Sequence, residues 1–164
     1  MALPNKVLPG FSAALYCQPT SSPTPLTTAQ LSLVASVSPI AVSGNLLPVE
    51  AIPAFGQDDA VASFSVAGSR QSDKIPVQAA PTSMTITAAW NPSDANLLLM
   101  RGDAASGVID RTFVVSATDG SNIVYYAFNG RVGQFQIDSA PGAEAKCTFT
   151  VHPRGNQYGW SNNA

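Results

Sequence analysis

Hydrophobic and polar positions alternate over several short stretches of the chain, the pattern of strands buried on one face. In "SMTITAAW", Met84, Ile86, Ala88 and Trp90 fall on one face and Ser83, Thr85, Thr87 and Ala89 on the other. In "QLSLVASVSPI", Leu31, Leu33, Ala35 and Val37 alternate with Gln30, Ser32, Val34 and Ser36, which predicts a half-buried strand ending near Pro39. A first strand is expected over Ser12 to Gln18. "RTFVVSATDGSNIVYYAF" reads as a hairpin around Asp119-Gly120-Ser121-Asn122, residues that tolerate the positive φ of tight turns. "RVGQFQID" and "AKCTFTVH" read as a second hairpin around "SAPGAE", and Gly130 and Gly133 inside strand-like sequence point to a bulge or a close backbone approach.

One stretch has helical punctuation instead. In "NPSDANLLLMRGD", Asn91 can cap free backbone N–H groups, Pro92 suits the first helical position, and Asp94 places negative charge at the positive end of the dipole. Arg101 favours the C-terminal end and Gly102 can take the left-handed conformation that closes a helix, so a helix is predicted over about 91–101. Arg101-Gly102-Asp103 also spells a cell-adhesion tripeptide. Each of its members has a local reason to be there, so the tripeptide reads as a helix stop.

Between Ser43 and Pro81 the periodicity dissolves among prolines, apart from a short strand expected at Ala62 to Val66. A loop of this length is ordinarily disordered or functional. This one carries Leu46, Leu47, Ile52, Phe55, Phe64 and Ile75, too much apolar surface for a solvated linker, and is expected to dock on another copy, with Asp58, Asp59, Arg70 and Lys74 as its charged members. Residues 1–11 read as an irregular N-terminal arm and 153–164 as a polar C-terminal tail with two aromatics.

Composition narrows the function. A chain of 164 residues is one ordinary domain, and charged residues are only 11% of it against roughly a quarter in typical soluble proteins. Such an uncharged surface is expected to be covered by something. The net charge of −2 and the absence of a Lys or Arg run remove the electrostatic footprint of a nucleic-acid binder. No stretch approaches the roughly eighteen apolar residues of a membrane span, and no signal peptide is read at the N-terminus. Cys17 and Cys147 are isolated and read as reduced core thiols. His152 is the sole histidine; on one strand its odd separation from Cys147 points the two side chains to opposite faces, which disfavours a thiol–imidazole dyad. Asp58-Asp59 lacks the alternating oxygen ligands of a calcium loop, and no glycine-rich, Lys-ending phosphate loop occurs. No catalytic, cofactor-binding or metal-ligating constellation is therefore assigned.

Strand into Asn-Pro-led leucine helix in "TITAAWNPSDANLLLMRGD", the paired-strand segment "RTFVVSATDGSNIVYYAFNGRVGQFQID" with its "YAFNGRV" turn region, and the long loop "IPAFGQDDAVASFSVAGSRQSDKIP" together resemble the tail tube (major tail) proteins of long-tailed bacteriophages. The resemblance extends over nearly the whole chain and is most specific from Thr85 to Asp138. It implies a mainly β fold, an antiparallel β-sandwich or partial barrel with one flanking helix, whose inner strands join a continuous barrel in stacked hexameric rings. It implies a virion protein assembled in the host cytoplasm, with other copies, a tape measure protein in the lumen, a tail terminator and a tail tip or baseplate as partners. Double-stranded DNA would pass through without specific binding. A neutral or acidic lining lowers friction because polyphosphate binds basic surfaces by releasing counterions. The lining candidates are Thr85, Thr87, Gln134, Gln136, Asp138, Thr148 and Thr150, with Ile86, Trp90, Phe113, Phe135, Ile137 and Phe149 opposite them in the core. Lys146 shares a face with Thr148 and Thr150, against the expected charge. Two other readings stay open: a single-ring tail component such as a terminator, and a monomeric carbohydrate-binding β-sandwich using Tyr125, Tyr126 and Trp160.

Overall fold

A computed structural model describes residues 12–65, 72–118 and 122–162. The fold is mainly β: an antiparallel half-barrel sheet and a separate hairpin, with one long helix on the flank. Strands β1 (Ser12–Cys17), β4 (Met84–Ala89), β5 (Asp110–Thr118), β6 (Ile123–Asp138) and β7 (Lys146–Asn162) form the sheet in the order β1-β5-β6-β7-β4. Strands β2 (Gln57–Ser65) and β3 (Ser72–Pro81) form the hairpin. The remaining elements are α1 (Thr28–Leu31), α2 (Val34–Val37), a 3-10 turn at Ser43–Asn45, and α3 (Ala95–Ser106).

Alternation in the strands sorts their side chains onto two faces. On one, Leu15, Cys17, Phe113, Val115, Phe128, Val132, Phe149, Val151, Ile86 and Met84 build the main core under Leu97 and Met100 of α3 and Leu47 of the extended segment. On the other, Val114, Tyr125 and Ala127 pack against Leu31, Val37 and Ile40. Among the described residues this cover lies over β5 and β6, with α1 also reaching β7.

Residues 30–40 are not the predicted strand. Thr27 caps α1 reciprocally with Gln30, the side chain of each meeting the backbone N–H of the other. Leu31, Val37 and Ile40 are buried while Leu33 is 53% exposed, a spacing that seats two short helical turns on the sheet. A run of alternating small residues had an equally good helical reading, and the local cap decided between them.

The helix is displaced along the chain from its predicted bounds. Asp94, not Asn91, is the N-cap: its Oδ1 accepts from the backbone N–H of Asn96 at 2.9 Å and of Leu97 at 3.2 Å. Asn91 and Pro92 belong to the preceding turn, where Asn91 Oδ1 accepts from Ser93 N–H at 2.9 Å. At the other end Gly107, at φ 66°, takes the left-handed closing position and donates to Asp103 O. Gly102 lies inside the helix with open space beside it. The Arg101-Gly102-Asp103 tripeptide is therefore helix interior, neither a stop nor an exposed loop tip.

The stretch read as an unpatterned loop contains the β2–β3 hairpin, with an irregularity between Asp59 and Val61. Pro76 and Pro81 are tolerated because a two-stranded ribbon leaves outward positions that need no donor. The expected short strand at 62–66 is thus part of a longer one; Val66 and Arg70 fall outside the described residues. Leu47 is buried in the chain's own core and Ile52 and Phe55 pack against it, so that apolar surface is used within the subunit, whereas Leu46 is exposed. Likewise "YAFNGRV" is no turn, because β6 runs through it unbroken, and the tail read from Pro153 continues β7 to Asn162. The expected close approach at Gly130 holds: a Cβ there would sit 2.8 Å from Val151 Cγ1. Gly133 opens a bulge against β7.

Candidate functional face and its edge

Across the β4–β7–β6 half, the face left open by α1 and α2 is polar. Register places Thr85 beside Thr150 and Gly133, then Thr87 beside Thr148 and Gln136, then Ala89 beside Lys146 and Asp138. Gln134 reaches the same face at the bulge, its Oε1 3.5 Å from Thr150 Oγ1. The sheet thus gathers all seven lining candidates onto one face. Thr85, Gln134, Gln136 and Asp138 are exposed, Thr87 and Thr148 half-buried, and Thr150 buried. Of the residues placed opposite them, Ile86, Phe113 and Phe149 are buried and Trp90 and Phe135 pack at the core's margin, but Ile137 is exposed.

Gln134 has φ 53°, a left-handed conformation that a side chain makes costly. The bulge between Gly133 and Gln136 imposes it. Such sites commonly re-aim side chains, and here Phe135 turns inward to stack on Phe149.

The charges on this face pair with one another, with Asp110 serving two guanidinium groups. Asp110 Oδ1 lies 2.9 Å from Arg131 Nε, and Asp110 Oδ2 lies 3.0 Å from Arg154 Nη1. Partial burial pushes the Asp110 carboxyl up, but the two guanidinium groups outweigh it and hold it below the usual carboxylate range. Lys146 is 2.5 Å from Glu50, whose carboxylate raises the ammonium's pKa, and it faces Asp138 across the strands. The Lys146 conflict seen in the sequence is resolved by these acids. His152 Nδ1 is 2.9 Å from Ser83 Oγ, and the ring lies over Gly133, where a Cβ would come within 3.3 Å of Nε2.

A buried ion pair, missed in the sequence, fixes this arrangement from behind. Arg111 is 0% and Asp103 2% exposed; Nε meets Oδ2 at 2.6 Å and Nη2 meets Oδ1 at 3.0 Å. Arg111 Nη1 also donates to Gln18 O and Thr20 O. One guanidinium thereby ties the end of α3, the start of β5 and the exit from β1 together. Nothing in linear spacing marks such a pair.

Burial pushes the Cys17 thiol up to about 12 and raises Cys147 as well, which makes both poor nucleophiles. Among the described residues no group of three or more His, Cys, Asp or Glu could hold a metal, and no helix is long and apolar enough to cross a membrane. Tyr125 is buried and Tyr126 packs edge-on against Phe55 at 5.1 Å, so neither offers a flat sugar platform.

No protein-family model matches the chain, and no curated protein is similar to it in sequence. Solved structures are similar in fold. A chain of the anti-feeding prophage (AFP) baseplate, six-fold symmetrised, superposes with a TM-score of 0.63 at 11% identity over 98% of this chain and 97% of that one. A chain of the SPP1 tail tube gives 0.55 at 12% identity, covering 93% of this chain and 77% of that one. A chain from the tail of an empty GTA particle, refined with C6 symmetry, gives 0.51 at 11% identity over 71% and 87%. The chain thus has the fold that these tail and baseplate structures share, which is the tail tube fold its own sequence resembles.

Proposed function

We propose that this chain is a structural subunit of a phage-type tail tube, assembling into stacked hexameric rings that conduct a genome into a host. The carrying observation is the half of one sheet face that the small helices leave uncovered: hydroxyl and amide side chains line it, and its charges pair with one another, while the main core lies on the opposite face. A lining of that kind offers polyphosphate no net cationic surface and hence little counterion release on contact. Similarity to assemblies whose descriptions name tails, a tail tube and six-fold symmetry supports the reading. One subunit cannot enclose DNA, and barrel diameter grows with strand number, so the channel requires several copies edge to edge. On this reading the protein resides in the virion tail after assembly in the host cytoplasm. Its further partners are a tape measure protein inside the tube and terminator and tip components at its ends; DNA passes without specific binding.

A single-ring component is the second reading, favoured by the similarity to a baseplate chain over 98% of this one. Negative-stain microscopy of concentrated purified protein separates the two. Hollow filaments support the tube, isolated annuli support the single ring, and a uniform monomer at every concentration overturns both.

A further inference from the structure

The charges described on the polar face balance, with Arg131, Arg154 and Lys146 against Asp110, Asp138 and Glu50, but they are segregated along the strands. Register sets Asp110, Arg131 and His152 in one row across β5, β6 and β7. Ser83, just ahead of β4, extends the row, its Oγ 2.9 Å from His152 Nδ1. Arg154 follows His152 on the same face of β7. In this row two guanidinium groups share one carboxylate, Arg131 Nε at 2.9 Å and Arg154 Nη1 at 3.0 Å from Asp110, so one positive charge is left over. Asp138 is further along β6 from Arg131, about 20 Å at the rise of a strand. The screening length in physiological salt is about 8 Å, so the acids at that end do not offset the cations at this one.

Hydrogen-bonding capacity is left over too. Each guanidinium carries five N–H groups, and among the described residues Asp110 engages only Nε of Arg131 and Nη1 of Arg154. The two arginine side chains are 32% and 56% exposed, so their other donors reach solvent. The row is also braced. Beside it Asn129 Nδ2 donates to Leu26 O at 2.7 Å, Leu26 N–H to Thr112 Oγ1 at 3.0 Å, and Thr112 Oγ1 to Asn129 Oδ1 at 2.7 Å, a closed ring of bonds where the helical cover ends. Directly after Arg154, Gly155 at φ 78° opens a bulge in β7 against Phe128, a device that re-aims neighbouring side chains.

We infer that Arg131 and Arg154 form a binding site for phosphate oxyanions, with His152 and Ser83 as its polar neighbours. A planar guanidinium presents paired donors that match phosphate oxygens. Asp110 holds the two groups together and cancels one of their two charges, which keeps capture weak and reversible. Free phosphate and the phosphodiester groups of nucleic acid offer the same oxygens. The site belongs to the subunit's own surface and needs no ring to form. Under the tube reading it gives each subunit one weak phosphate contact, too little charge to arrest DNA.

Equilibrium dialysis against radiolabelled inorganic phosphate measures the site on the full chain, single or assembled. Arg154→Gln is expected to weaken retention by roughly fivefold, the worth in water of a unit charge about 4 Å from the anion. Asp110→Asn releases both guanidinium groups from their acid and is expected to strengthen retention by a similar factor, a gain that a structural role for the cluster would not produce. Arg154→Lys, which keeps the charge without the paired donors, is expected to fall between wild type and Arg154→Gln, with melting temperatures showing that all the variants fold. Lys146→Gln, at the far end of the face, is expected to leave retention unchanged in about 0.1 M salt. The series is repeated with a short mixed-sequence DNA duplex by fluorescence anisotropy. The same ranking on both probes extends the site to phosphodiesters, and a ranking confined to inorganic phosphate assigns it to the free ion. Retention no greater than a protein-free blank, or unmoved by Arg154→Gln and Asp110→Asn, overturns the site and leaves the tube reading standing. Failure to assemble with the ranking intact overturns the tube reading alone.

Discussion

Removing the Asp103 carboxylate while keeping Arg111 is the sharpest perturbation of this fold. Asp103→Ala leaves a guanidinium with 0% exposure, and the Nε and Nη2 groups that donated to the carboxylate lose their acceptors. Each stranded buried donor costs about 1–3 kcal/mol, and breaking a buried pair by removing one partner costs about 3–5 kcal/mol in all. A domain of this length is stable by about 5–15 kcal/mol, so the loss is a large share of the total. With a melting temperature that moves about 2–4 °C per kcal/mol in this size range, a drop of about 10 °C is expected. Chemical denaturation monitored by Trp fluorescence gives the free energy directly. The companion variant Asp103→Leu with Arg111→Met removes both charges and fills similar volume, and it is expected to recover most of the loss, because a buried pair is often no better than apolar packing. A single variant within about 1 kcal/mol of wild type, or a double variant as unstable as the single, would refute the reasoning that the cost lies in the orphaned cation.

Gly102→Ala is expected to stabilise the protein by about 0.5–1 kcal/mol, since the site is helix interior with no atom within 4 Å of the added Cβ. Gly107→Ala is expected to destabilise by about 1 kcal/mol because φ there is 66°; thermal melts with the opposite pair of signs would move the helix end back to Gly102. Lys at Gln134, Gln136 and Asp138 together is expected to slow DNA ejection from particles carrying the variant, with the effect shrinking at high salt. Ejection at the wild-type rate at low salt would remove these residues from the channel.

The alternation in "SMTITAAW" was legible because β4 has one buried and one open face, the condition under which a period of two survives in sequence. The same condition made the seven polar candidates readable as one face. Alternation at Leu31 to Val37 was equally regular and belonged to helical turns, since short elements take their conformation from a cap and from the surface they cover. Asn91 and Asp94 were both competent caps three residues apart, and tertiary contacts chose the second: Asn96 Nδ2 donates to Gly44 O and Leu46 O, which anchors the first turn of α3. The Asp103–Arg111 pair was invisible because it depends on which elements become neighbours, a property of topology that no local pattern carries.

Strand β6 runs through 16 residues, roughly 50 Å at the usual rise, with a bulge at Gly133 to Gln136, the small helices packed on one end and the other end left uncovered by them. A ladder of backbone hydrogen bonds to its neighbours joins the two ends into one element. A load applied at its uncovered end is therefore felt by the small helices seated on the other end of the same strand.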